Sequence, residues 1–178
     1  MAIDPRRFRD VLGQFPTGVV IATARTADGE RLGMTASSFN SVSLDPPLVL
    51  FSVARQALTY AIWKTVERYA VNVLHEEQEQ LSNQFARAKG DKWEGLTPLT
   101  GETGVPIMPN AAAVFECSTY ARYDGGDHEI FVGRVLAMRE HPVHRGRPLI
   151  FFEGQYRQLA SIATAHTPPE EAVLLQGW

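Results

Sequence analysis

The apolar positions of this chain fall into short runs broken by turn-forming residues, and only three stretches carry a helical spacing or composition. Asp4-Pro5 predicts an N-cap followed by proline at the first helical position. Behind it Phe8, Val11, Leu12 and Phe15 form one apolar stripe of a helix that Pro16 and Gly18 end. Val19 to Ala24 is rich in β-branched residues and predicts a strand. Asp28-Gly29 predicts a hairpin, with Arg31 to Ala36 as the return strand. Asp45-Pro46-Pro47 predicts a turn, since two prolines remove two backbone donors, and Leu48 to Val53 a buried strand. A short helix is expected over Ala57 to Thr65. Tyr69 to Leu74 alternates like a strand, with Val71 and Val73 on one face and Asn72 on the other. Glu77 to Ala88 has helical composition, with Leu81 and Phe85 four apart. Residues 89–110 predict a loop of a length that is uncommon and often functional. Three strands follow: Ala113 to Arg122, Glu129 to Met138 and Leu149 to Phe152. Gly125-Gly126 turns the first into the second, and His141 to Arg147 separates the last.

Strands outnumber helices in this pattern, and the two do not alternate regularly. That argues against a doubly wound parallel sheet and for a mainly β (α+β) antiparallel barrel with peripheral helices. We expect one domain over residues 1–160, without internal repeats. Residues 161–178 form a tail with an apolar end, Val173-Leu174-Leu175, which is expected either to pack on a dimer partner or to be a loosely held terminus.

Composition narrows the function classes. The chain has 178 residues, near one domain's worth, with 44% hydrophobic and 21% charged residues, which excludes disordered and fibrous classes. The net charge is −3 without a basic stripe, so no nucleic-acid partner is expected. The single cysteine, Cys117, lies in an apolar-alternating run and predicts a packed, inert thiol. No apolar run is long enough to span a membrane. The first residues are not followed by an apolar stretch, as a secretion signal would be. A cytoplasmic protein is the expectation.

The stretch Gly33-Met34-Thr35-Ala36-Ser37-Ser38-Phe39 offers small side chains, three hydroxyls and accessible backbone amides. Small residues admit a flat ligand, and hydroxyls and amides can bond its polar edge. Taken alone the same residues fit plain turn chemistry. His141 and His144 flank Pro142-Val143 without a carboxylate or cysteine pattern that would make a metal site, so a surface loop and no metal are expected. His75-Glu76-Glu77 is not a His-Glu-x-x-His zinc motif. Gly-x-Ser-x-Gly and Gly-x-Gly-x-x-Gly are both absent, which removes the usual hydrolase elbow and a Rossmann nucleotide site.

The 33–39 stretch does not stand alone. Ser41 to Val49, Val71-Asn72-Val73-Leu74, Gln84-Phe85-Ala86, Lys92-Trp93-Glu94-Gly95, Gly126-Asp127-His128 and Gly154-Gln155-Tyr156 follow in order. In this order and spacing the set resembles the short-chain flavin reductase family, whose fold is a Greek-key FMN-binding split barrel. Members include the reductase components of two-component flavin-dependent monooxygenases. The resemblance spans roughly residues 8–159. It implies a homodimer with one flavin per subunit near the interface, FMN or FAD as the flavin, and NADH or NADPH as hydride donor. By matching positions, Met34, Thr35, Ala36, Ser37 and Ser38 would border the ring and ribityl chain. Ser52, Ala54, Arg55, Ala57, Leu58 and Thr59 would lie near the phosphate. Phe85, Ala86 and Lys92 would close over the flavin, and His128, oriented by Asp127, would share the nicotinamide side with Tyr156.

One position departs from the family. Where members often carry serine, Ala57 supplies no hydroxyl, so the phosphate grip would rest on Thr59, backbone amides at a helix start and Arg55. No obligatory catalytic side chain is expected, because the flavin carries the chemistry and the protein binds and orients it. His128 is the candidate for positioning the nicotinamide. A solvated loop histidine is the reading without the resemblance. Two rivals remain: an oxidase like pyridoxamine-phosphate oxidase on the same barrel, and a non-enzymatic flavin- or haem-binding module.

Overall fold

A carboxylate before a proline starts the first helix as the sequence predicts. In the computed structural model, which describes residues 3–160, the Arg6 amide donates to Asp4 at 2.8 Å and α1 runs Pro5–Leu12. Strands β1 (Thr17–Gly18), β2 (Val20–Arg25), β3 (Arg31–Ala36), β4 (Asn40–Leu44) and β5 (Pro47–Ala54) follow. Helix α2 (Tyr60–Trp63) leads to β6 (Arg68–Val73) and helix α3 (Glu79–Ala86). The short strands β7 (Leu99–Thr100) and β8 (Pro106–Ile107) precede two long ones, β9 (Ala113–Gly125) and β10 (His128–Glu140). Strands β11 (Ile150–Phe152) and β12 (Gln155–Arg157) close the described chain.

Seven strands make one antiparallel sheet in the order β3-β2-β6-β9-β10-β5-β4. The sheet curls on itself. Phe51 of β5 and Tyr69 of β6 are separated by two strands along the sheet, yet their rings meet edge-on with centroids 5.3 Å apart. Phe51 also stacks on Phe131. The barrel interior is therefore an aliphatic and aromatic core of Val20, Val49, Phe51, Val53, Tyr69, Val71 and Phe131, with Trp63 of α2 packed edge-on against Phe51 to close one end. This is the mainly β barrel with peripheral helices that the sequence predicts.

A second apolar layer covers the outer face of β2, β6 and β9. Ile21, Ala70, Leu74 and Val114 meet Phe85 of α3 and Trp93, Val105, Ile107 and Met108 of the following segment. Strand β6 is thus buried on both faces. Asn72, on the face opposite Val71 and Val73, is fully buried. Its amide donates to the Ile21 carbonyl (2.8 Å) and to Thr23 Oγ1 (2.9 Å), and its carbonyl accepts from the Met108 amide (2.8 Å). Those bonds offset the cost of desolvating it. They also hold down part of the expected 89–110 loop, which contains β7 and β8 and buries Val105, Ile107 and Met108.

Three local expectations change. The helix over Ala57 to Thr65 shrinks to the four residues of α2. The turn between β9 and β10 is made by Gly126 and Asp127, with Gly126 at φ +77°, a conformation open to glycine. Helix α1 ends at Leu12, before Phe15, and its stripe faces away from this chain's core: Phe8, Val11, Leu12 and Phe15 are all exposed. Cys117 is packed, and burial pushes its thiol up to about 12.

Candidate active site

Strand β3 delivers its small residues to the rim of two joined clefts. Thr35 Oγ1 donates to the Ser82 carbonyl at 2.6 Å, which ties the strand to α3. Ser37 and Ser38 emerge exposed where β3 ends. Ser38 Oγ accepts the Ser52 amide at 2.9 Å and so bridges to β5, leaving its own proton free to donate outward. A cleft of about 230 Å³ lies over Thr35, Ala36 and Ser37, walled by Val19, Ser82 and Ala86. A second, of about 610 Å³, shares Ser37 and Phe151 with it and is walled by the end of α1 and by Glu153-Gly154.

From Ser38 the surface continues along β5 and β10. Ser52 stands opposite Ile130 and Ala54 opposite His128. Directly opposed residues share a face of the sheet, and Ser52 and Ala54 alternate with buried Phe51 and Val53. His128 is therefore on the same outer face as Ser52 and Ala54. Its Nδ1 lies 2.7 Å from Asp127 Oδ1, and that hydrogen bond holds the Asp127 carboxyl below its usual range.

Beyond Ala54 the expected phosphate segment is only partly free. The Arg55 guanidinium donates to Asp124 (2.6 Å), the Gly126 carbonyl (3.0 Å) and Tyr60 Oη (2.9 Å), and its proton affinity is raised chiefly by Asp124. It braces the β9–β10 hairpin, so the expected phosphate grip by Arg55 would have to share these donors. The amides of Arg55 and Ala57 are bonded to Asp127 and Ala54. Leu58 is exposed, and the Thr59 side chain caps nothing in α2.

Four expected flavin and nicotinamide residues sit differently from the expectation. Phe85 is fully buried against Gly33 and Trp93 and lines neither cleft, so it has no surface for a ligand. Lys92 is half-buried, with Nζ donating to the Gly33 carbonyl (3.1 Å) and the Phe85 carbonyl (2.9 Å). Burial lowers its proton affinity. It clamps β3 to α3 and does not project into the clefts. Met34 packs on the barrel core. Tyr156 lines the smaller cleft, its hydroxyl bonded to Ser82 Oγ (2.8 Å) and Asn83 Oδ1 (3.2 Å), whereas His128 lines neither cleft. Of the three expected nicotinamide residues, Tyr156 therefore lies at the smaller cleft, and His128 and Asp127 lie together outside both clefts.

The wall formed by α1 and the β11–β12 turn adds residues that the sequence motifs do not single out. The Glu153 amide donates to the Gly13 carbonyl (3.0 Å) and Gln14 donates to Glu153 (2.6 Å), which seats the helix end beside Ser37. Glu153-Gly154, both at positive φ, is the turn signal from which the wall was legible. His75 stacks on His144 with ring centroids 3.8 Å apart, and His141 lies tilted against His144 at 4.5 Å. No cluster placed to hold a metal ion occurs among the described residues.

The two clefts together have the volume of a small-molecule site. Small side chains at Ala36, Ser37 and Ala86 leave room for a planar ring, and hydroxyls supply donors to its polar edge. A flavin fits this surface.

A family model described as "Flavin reductase like domain" matches residues 12–160. The chain is 41% identical over 170 residues to HsaB of Rhodococcus jostii, the reductase subunit of a flavin-dependent monooxygenase, covering 94% of this chain and 84% of that one. It is 46% identical over 134 residues to a Rhizobium meliloti protein named "Probable flavin reductase". That match covers 75% of this chain and 43% of the relative, so this chain spans less than half of that protein's length. Among solved structures, the NADH:FAD oxidoreductase SgcE6 of Streptomyces globisporus, in complex with NAD and FAD fragments, superposes with a TM-score of 0.83 at 37% identity. The superposition covers 92% of this chain and 99% of that one.

Proposed function

This chain belongs to the flavin reductase like family, and on that premise we propose that it is a flavin reductase that moves hydride from NADH or NADPH to FMN or FAD and supplies reduced flavin to a partner monooxygenase. The observation that carries the reading is the continuous outer surface from the Ser37 clefts through Ser38 and Ser52 to His128. A flavin held there supplies the electron-accepting ring for a hydride. The chain's own residues do the rest. Ser37 and the free proton of Ser38 donate to the ring's polar edge, which favours the extra negative charge of the reduced state. Thr59 and the neighbouring backbone receive the phosphate end. His128, steadied by Asp127, positions the donor's nicotinamide, and holding the two rings together is the main source of rate. No nucleophile is required, in keeping with the buried Cys117.

A homodimer suits the exposed apolar stripe of α1 and the exposed Val42, Leu44 and Leu58 beside the flavin surface. The tail proposed to pack on a partner falls outside the described residues. No described helix is long and apolar enough to cross a membrane, and a cytoplasmic location would give access to reduced nicotinamide nucleotides. The oxidase rival needs free cations for a substrate phosphate at the clefts, but Arg147 is bonded to Glu76, and among the described residues Arg9 is the only cation lining the clefts.

The deciding assay mixes the protein with FMN or FAD and NADH or NADPH under air. Steady loss of nicotinamide absorbance with oxygen uptake supports the reductase. Bound yellow flavin without turnover would establish the binding module instead.

A further inference from the structure

Lys64, Arg68 and Arg122 converge on a polar cavity of about 460 Å³ beside the end of α2, and Glu67 and Ser118 also line it. None of these residues borders either cleft at Ser37. Two of the three cations have side-chain contacts, and Arg68 is placed by its strand. Arg68 stands opposite Ser118 in the β6–β9 register. The Arg122 guanidinium donates to the Lys64 carbonyl and lies 6.0 Å from the Phe131 ring centroid. Lys64 Nζ lies 5.2 Å from the ring centroid of Tyr60.

Lys64, Arg68 and Arg122 differ from the arginines that are paired with carboxylates. Arg55, Arg139 and Arg147 each have a carboxylate partner, whereas among the described residues Lys64, Arg68 and Arg122 have none within salt-bridge distance. Three like-charged residues lining one cavity repel one another, in a chain whose net charge is −3. With Glu67 the lining carries a net charge of +2.

We propose that this cavity binds a phosphoryl dianion, at a site separate from the flavin clefts. The lining charge matches such a ligand, guanidinium groups pair with its oxygens in a fork, and Ser118 adds a hydroxyl. Thr65 and Thr119 already donate to backbone carbonyls, so they contribute only shape. The dianion is either free phosphate or diphosphate, or the phosphate arm of a nucleotide.

The test is isothermal titration of inorganic phosphate, pyrophosphate and ADP into the full chain, at ionic strength held constant with sodium chloride. Saturable binding of one ion per chain is expected, weakened at least tenfold in a Lys64→Gln/Arg68→Gln double variant. Arg68→Glu alone, which reverses one exposed charge, is expected to weaken it as much. Equal affinity for pyrophosphate and ADP assigns the site to the phosphoryl group alone, and tighter ADP binding assigns it to a nucleotide. NADH-dependent flavin reduction, followed in parallel, is expected to stay within twofold of the parent. Failure of all three ions to saturate, or undiminished affinity in folded Arg68→Glu, overturns the proposal.

Discussion

The ring of Phe85 fills the space that a side chain at Gly33 would need, and Lys92 Nζ bonds the carbonyls of both residues. This contact seats α3 against β3 and so sets the width of the smaller cleft, whose walls include Thr35 and Ser82. Gly33→Ala would force the buried ring or the helix to move. We expect a loss of about 1–3 kcal/mol in stability from overpacking, measured as a lower urea midpoint. Flavin affinity should fall with it. An unchanged midpoint would mean that α3 is not wedged as described.

Ser37 and Ser38 are neighbours with separable duties. Ser38 holds the Ser52 amide, while Ser37 lines both clefts. Ser38→Ala is expected to cost about 1 kcal/mol of stability and to weaken flavin binding. Ser37→Ala should weaken flavin binding alone. Thermal melts and flavin titrations of the two variants separate these effects.

His128 lies on the flavin face but lines neither cleft. Removing one hydrogen bond to the nucleotide is worth about 1 kcal/mol, or roughly fivefold in KM. His128→Ala is expected to raise KM for the nicotinamide nucleotide by about that factor and to leave flavin Kd nearly unchanged. Unaltered steady-state kinetics would remove His128 from the site.

Burial, and next the adjacent His144, hold the His75 imidazole below its ordinary value. Glu77 opposes that shift, while Arg147 and His141 add to it. The folded chain therefore keeps His75 neutral at pH values where the unfolded chain, titrating near about 6.5, has bound a proton. Stability is full above that unfolded value and falls as the pH drops through it toward the lowered folded value. Tm is expected to drop between pH 7.5 and pH 5.5, and to drop less in His75→Phe, which keeps a stacking ring without the titration.

Local pattern made the strands legible where one or both faces are apolar. β2, β3, β5, β6, β9 and β10 follow their β-branched and alternating runs, and α1 follows its cap, proline and stripe. Strand β4 escaped because Asn40 to Leu44 is short, serine-rich and largely exposed, so no apolar face announces it. The small strands β7 and β8 escaped for a related reason. They are held by the Asn72 and Thr23 side chains, through the Met108 amide and the Pro106 carbonyl, across long separations in sequence.

The site divides along the same line. The sequence by itself determined the antiparallel barrel, the packed cysteine and the small hydroxyl-bearing turn at Thr35 to Ser38, because each depends on residue type and near neighbours. Tertiary structure alone decided that Phe85 and Lys92 brace the site from behind, that Arg55 is drawn to Asp124, and that the end of α1 walls the larger cleft. Those outcomes depend on which side chains meet when the sheet curls, and contacts between distant segments leave no periodicity along the chain.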